Sequence, residues 1–245
     1  MGKLTVLGAG DAFASGGKYC TSFFIEAAGQ RILLDCGATA FVRYKQLNRQ
    51  AKDLDMVVLT HFHGDHYGGL PFFVISAKVE QAREKPLLIV GPKGVKEKVY
   101  LLQEAMYPGT GALLDELPFA FKEYEEDWNE YLQGIEVSAF PMKHSPPSNP
   151  HGVRLRWNEN ILSFSGDTEW SDNLPLLAER SEIMICECNN LDQESPGHLS
   201  YQTLLSKKEL LSTNRLLLSH MGPEMLAATG LEFEKLQDGQ VIDLW

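Results

Sequence analysis

The chain has 245 residues, 44% of them hydrophobic, which is enough for a sizeable core and an ordinary length for one α/β domain. Its longest apolar runs, such as Leu87-Leu88-Ile89-Val90, are only strand-length, which excludes a bilayer-spanning helix. A formal net charge of −11 without a basic face or arm argues against a large nucleic-acid partner, because phosphate contacts supply most non-specific affinity.

The opening run Met1-Gly2-Lys3-Leu4-Thr5-Val6-Leu7 goes straight into a strand pattern. It lacks the charged start, long apolar stretch and small-residue cleavage site of a secretory leader, so export is not expected. Strands are predicted at 4–7, 21–26, 31–35, 56–60 and 86–90, with helices near 41–47, 68–79 and 93–104. Ala27-Ala28-Gly29-Gln30 offers a glycine for positive φ, so the second and third strands are predicted to form an antiparallel hairpin. The lysines of 93–98, partly balanced by Glu97, read as an exposed helix face, and the acidic stretch 123–127 as a solvated loop. In the second half, strands are predicted at 135–140, 152–157, 160–165, 183–187, 215–219 and 241–244. Helices are predicted there at 174–178 and 201–208, with a short one after Pro223. No repeat period, linker or low-complexity tract emerges, so residues 1–245 read as one mixed α/β domain. Cys20, Cys36, Cys186 and Cys188 lie in or beside apolar strands, which suits a reduced cytoplasm, and no disulfide is predicted.

Thr60-His61-Phe62-His63-Gly64-Asp65-His66 follows the apolar run Met56-Val57-Val58-Leu59, so four metal-ligand side chains crowd a strand-to-loop junction. Imidazole suits zinc and its borderline-soft neighbours, carboxylate is harder, and a tight turn can aim alternate residues at two adjacent ions. Gly64 is expected to relieve crowding in that turn. A structural role for three histidines and an aspartate is a poor alternative, because clustering them without a cation costs desolvation and repulsion.

His61, His63, Asp65 and His66 in this order resemble the His-x-His-x-Asp-His signature of the metallo-β-lactamase fold superfamily. The match continues through His144 beyond 137–142, Asp167 in Ser165-Gly166-Asp167-Thr168, and His220 after Leu216-Leu217-Leu218-Ser219. The resemblance implies an αββα sandwich of two mixed β-sheets flanked by helices, with the site at one sheet edge. It further implies a first metal on His61, His63 and His144, a second on Asp65, His66 and His220, and Asp167 between them. Zinc is the expected ion for so histidine-rich a set, with manganese or iron as alternatives. His151 is the one histidine left without a functional counterpart, and reads as a loop residue bonded to backbone.

Leu7-Gly8-Ala9-Gly10-Asp11-Ala12, Leu34-Asp35-Cys36-Gly37, Ile185-Cys186-Glu187-Cys188 and His198-Leu199-Ser200 together resemble the ribonuclease Z branch. That branch implies a catalytic glutamate at Glu187 and a catalytic histidine at His198, although the flanking residues differ from its His-Glu-Ala-Thr and His-Ser-Thr motifs. Phosphodiester hydrolysis needs a proton for a poor alkoxide leaving group; His198 could donate it, oriented by Glu187. Asp65 counts as catalytic through its metal. The branch's transfer RNA enzymes usually insert a basic arm between the counterparts of His144 and Asp167, and here 167 − 144 = 23 positions leave no room for one. The expectation is a binuclear metal-dependent hydrolase of a small phosphodiester such as a cyclic nucleotide, as in arm-less relatives that destroy cyclic nucleotide messengers. Transfer RNA 3′ cleavage, hydrolysis of a lactone, thioester or β-lactam, and a non-catalytic binding module are the competing readings. The resemblance also implies a homodimer.

Overall fold

The computed structural model describes residues 2–80, 83–125 and 128–245. The first block supplies β1 (Gly2–Gly8), β2 (Ser22–Ala27), β3 (Gln30–Leu34), β4 (Met56–Val58), β5 (Leu87–Gly91) and β6 (Phe119–Glu123). Its helices are α1 (Ala40–Gln46), α2 (Gly64–Tyr67), α3 (Leu70–Val79), α4 (Val95–Met106) and α5 (Leu113–Glu116). The second block supplies β7 (Asn129–Leu132), β8 (Ile135–Pro141), β9 (His151–Trp157), β10 (Asn160–Phe164), β11 (Ile183–Glu187), β12 (Leu216–Ser219) and β13 (Glu234–Lys235). Interleaved or following are α6 (Asn173–Ala178), α7 (Tyr201–Ser206) and α8 (Pro223–Ala227), and β14 (Val241–Leu244) returns to the first sheet.

Two seven-stranded mixed sheets result, in the orders β14-β1-β2-β3-β4-β5-β6 and β13-β12-β11-β10-β9-β8-β7. The period-2 alternation of the strands explains the layering. In the first sheet Leu4, Val6, Phe23, Ile25, Ile32, Leu34, Met56 and Val58 pack in the core shared with the second sheet, where Phe23 meets Phe164 edge-on at 5.2 Å. The intervening Leu7, Phe24, Leu33, Val57 and Leu59 pack on the opposite face with Tyr44, Phe73, Val74 and Val99 of α1, α3 and α4. Being apolar on both faces, β4 reads as a continuous apolar run, as buried parallel strands do.

The predicted hairpin forms: β2 and β3 pair antiparallel through Ala28 and Gly29, both at positive φ. From β3 to β6 the strands run parallel, as they do from β10 to β13. The second sheet therefore brings the carboxyl ends of β10, β11 and β12 side by side, with Glu187 in register with Ser219.

Several expected boundaries need correction. α7 stops at Ser206, and Lys208–Leu210 forms a separate 3-10 turn. Strands β6, β7 and β13 were not foreseen; β6 and β7 are short, partly exposed edge strands and β13 has two residues. The acidic stretch is not all loop, since Glu123 ends β6 and Tyr124 is buried, donating its hydroxyl to Leu59 O at 2.9 Å; residues 126 and 127 lie outside the described residues. The lysines near α4 are exposed as expected. All four cysteines are free and buried.

Candidate metal centre

Residues 61–66 begin three positions past β4, and α2 forms where a loop was expected, with His63 as its N-cap residue. This single turn of helix divides the motif between two neighbouring donor sets, with His61 and His63 in one and Asp65 and His66 in the other, although the His66 ring still lies 4.1 Å from that of His61. Gly64 contributes less than expected: a Cβ there would meet nothing within 4 Å, and its φ is not positive. The glycine that matters is Gly37, whose added Cβ would fall 1.8 Å from Asp65 O, so only glycine lets the β3 end lie against α2.

All seven expected ligands converge. One set comprises His61, His63, His144 and Asp167, the other Asp65, His66, Asp167 and His220, each with its donor atoms within 4.8 Å of one another. In the first, His63 Nδ1 lies 3.2 Å from His61 Nε2 and 3.1 Å from His144 Nε2. In the second, His66 Nε2 lies 3.1 Å from Asp65 Oδ2 and 3.3 Å from Asp167 Oδ1, while His220 Nε2 lies 3.3 Å from Asp65 Oδ2 and from Asp167 Oδ2. A tetrahedral ion with bonds of ~2.0–2.1 Å spaces its ligands ~3.3 Å apart.

Proton bookkeeping supports a cation. The Thr60 hydroxyl donates to Asp35 Oδ2 at 2.8 Å, so it accepts from His61 Nδ1 at 3.0 Å. His144 Nδ1 donates to the Gly197 carbonyl at 2.7 Å. In their neutral forms both rings therefore aim a lone pair at His63 Nδ1, which has one proton at most to give. His66 Nδ1 donates to Asp35 at 2.6 Å, leaving its Nε2 facing two carboxylates. Among the described residues, buried His66 Nε2 and Asp167 Oδ1 have no hydrogen-bond partner. Divalent ions resolve these conflicts; the donor set fits them.

Electrostatics differ between the two sets: for His66 and His220 burial acts downward, but the facing carboxylates outweigh it and raise both, His220 to about 9, so a proton stands where a cation would bind. Burial lowers the pKa of His61, assisted by His66, and burial likewise lowers His63 and His144, keeping these imidazoles neutral as metal binding requires. For Asp65 and Asp167 burial acts upward, but the facing histidines outweigh it and hold both carboxylates ionised.

Asp35, which the sequence placed in a motif without a role, ties the two sets together. Fully buried at positive φ, it accepts from Thr60 N at 2.7 Å, from the Thr60 hydroxyl and from His66, so one carboxylate orients ligands of both sets. Its signal was the lone acid closing the apolar run 31–35.

Glu187 and His198 meet as expected, with His198 Nδ1 2.9 Å from Glu187 Oε1. The His198 ring stacks on His220 at 5.3 Å and stands edge-on to His144 at 4.9 Å, so it overhangs both donor sets. Burial alone would lower its pKa, but the hydrogen bond and charge of Glu187 outweigh it and raise it. His151 stays apart, its Nδ1 donating to Asn149 O at 3.0 Å, although it opens β9 rather than sitting in a loop.

The two mixed sheets and the donors gathered along one edge define a metal-dependent hydrolase of metallo-β-lactamase fold, in its ribonuclease Z-like branch. Ribonuclease Z of Clostridioides difficile (strain 630) is 24% identical over 282 residues, covering 92% of this chain and 90% of the relative. The metallo-β-lactamase fold protein YhfI from Bacillus subtilis superposes with a TM-score of 0.78 at 19% identity, over 99% of this chain and 100% of that one. Human tRNase Z, short form (ELAC1), superposes at 0.79 with 20% identity, over 98% of each chain. Within that class the chain belongs to the family described as Anti-Pycsar protein Apyc1, which matches residues 2–239.

Proposed function

We propose that the chain hydrolyses a small phosphodiester, a cyclic nucleotide in particular, and that the observation carrying this reading is the His198–Glu187 pair poised over two donor sets. In this proposal His61, His63, His144 and Asp167 hold one divalent ion, and Asp65, His66, His220 and Asp167 the other. Zinc is the expected ion at both. Ions held there would supply Lewis-acid activation of water and neutralise phosphoryl charge.

The chain's own residues do the rest. Glu187 is fully buried and accepts from Thr168 N at 2.7 Å and from His198, which fixes the imidazole and leaves Nε2 as the free end. That end carries the proton needed by the departing alkoxide oxygen. An activated carbonyl or a nitrophenolate needs no such acid, which is why the pair favours a phosphodiester with a poor leaving group.

Three further features support a small substrate. Between His144 and Asp167 the chain is used up by a 3-10 turn (Pro146–Ser148) and the β9–β10 hairpin, so no arm projects there. The net charge of −11 opposes a folded RNA. Membership of the Anti-Pycsar protein Apyc1 family supports the anti-signalling activity that the resemblance implied. The ribonuclease Z relatives favour a second reading, cleavage of precursor transfer RNA, for which binding would weaken steeply with salt. A homodimer belongs to the proposal and is checked by sedimentation.

The test is His198→Ala on the metal-loaded protein. On an alkoxide-leaving cyclic nucleotide, kcat is expected to fall by about 10²–10⁴-fold, with much less loss on bis(p-nitrophenyl) phosphate. Equal losses on both would remove His198 as proton donor.

A further inference from the structure

The loop before α7 holds one residue gripped at both ends. Gly197 N–H donates to Glu169 Oε1 at 2.9 Å, while the Gly197 carbonyl accepts from His144 Nδ1 at 2.7 Å. The residue that follows is His198. A single glycine thus links a donor of the first metal set to the overhanging imidazole.

The contact is possible only for glycine. Its φ is +86°, and an added Cβ would lie 2.6 Å from His144 Nδ1. Glu169 is in turn tied to the segment carrying His144: its N–H donates to Lys143 O at 2.7 Å, and its second carboxylate oxygen pairs with the Lys143 ammonium. The Lys143 side chain is 65% exposed, and so open an ion pair contributes little alone. What Glu169 adds is the acceptor for Gly197.

We propose that Glu169 is a positioning residue, which fixes Gly197 so that the His144 ring and the His198 backbone are placed together. This role rests on the hydrolytic reading above. Without that acceptor the Gly197 N–H is unpaired and the 196–197 peptide loses its anchor, so the glycine whose carbonyl orients His144 is held only on its far side, through that carbonyl and the His198 N–H bond to Ser195 O at 3.1 Å. Glu187 still holds His198 Nδ1 and Leu199 N, so the loss falls first on Gly197 and the His144 ring and reaches His198 through the glycine. Outer partners of this kind typically cost about 10–100-fold in activity or metal affinity when removed.

The experiment uses the full zinc-loaded chain with Glu169→Ala, Glu169→Gln, Glu169→Asp and Lys143→Ala. It reads kcat and KM on an alkoxide-leaving phosphodiester, hydrogen exchange of the Gly197 amide, and the NMR signal of the His144 imidazole N–H. Glu169→Ala is expected to lower kcat by about 10–100-fold with little change in KM, to deprotect the Gly197 amide and to shift the His144 signal. Glu169→Gln, whose amide oxygen can still accept, restores all three, and Lys143→Ala resembles the unaltered protein. Glu169→Asp keeps the charge but withdraws the acceptor, so it behaves like Glu169→Ala and decides the matter if the alanine variant fails to fold. Unchanged Gly197 protection in Glu169→Asp, or a Lys143→Ala loss equal to that of Glu169→Ala, overturns the proposal. If the unaltered protein cleaves no phosphodiester, the functional reading falls, while amide exchange and the His144 signal still judge the role of Glu169.

Discussion

Glu187 receives four hydrogen bonds, from Thr168 N, Asn189 N, Leu199 N and His198 Nδ1, so its carboxylate is fixed in place as the partner that raises His198, the proposed proton donor. The sign of the resulting pH dependence follows. A general acid works only while protonated, and a raised pKa keeps His198 protonated to higher pH, so turnover of poor-leaving-group substrates falls as pH rises through that pKa. In Glu187→Gln the charge is gone, and the alkaline limb is expected to move to lower pH, with a smaller kcat. A pH–rate profile checks this; a limb that stays in place assigns it to another group. The seven residues proposed as ligands stood out in the sequence because ligand chemistry constrains residue type, Glu187 and His198 came from the motif resemblance, and the structure brings all nine side chains together. The roles of Asp35, Thr60 and Gly197 did not stand out, because hydrogen bonds to backbone and between distant segments leave no spacing to read.

Among the elements, the apolar runs of β4, β5, β11 and β12 were plain because buried parallel strands cannot disguise themselves. The edge strands β6 and β7 were hidden by their shortness, with only Phe119 and Phe121 of β6 and Leu132 of β7 facing apolar neighbours, and α2 by the density of metal-ligand side chains around it. What the elements do together is set strand ends against one another. Asp35 follows β3, Thr60 and His61 follow β4, and the pairing of these two parallel strands brings the Asp35 carboxylate to Thr60 and His66. Asp35→Asn keeps the shape but removes the charge that both strand ends share. It is expected to weaken metal affinity by about 10–100-fold, measured by competition with a chelator, while the fold persists in circular dichroism. Unaltered affinity would reduce Asp35 to a backbone anchor.

At the scale of the molecule, the two blocks repeat one plan: antiparallel strands, then parallel ones, with the site at the carboxyl ends where the sheets meet. The order of strands and helices was legible as two successive blocks, but the return of β14 to pair with β1 was not, since such closure depends on contacts across the whole chain. An acidic chain with no arm between His144 and Asp167 also offers little to a folded RNA, in keeping with the small substrate proposed. The most direct measurement is hydrolysis of a panel of cyclic nucleotides by metal-loaded protein, with Asp65→Ala as control. Turnover of at least one cyclic nucleotide, abolished in Asp65→Ala, is the predicted result. Cleavage of precursor transfer RNA, a lactone, a thioester or a β-lactam with every cyclic nucleotide left intact would contradict it.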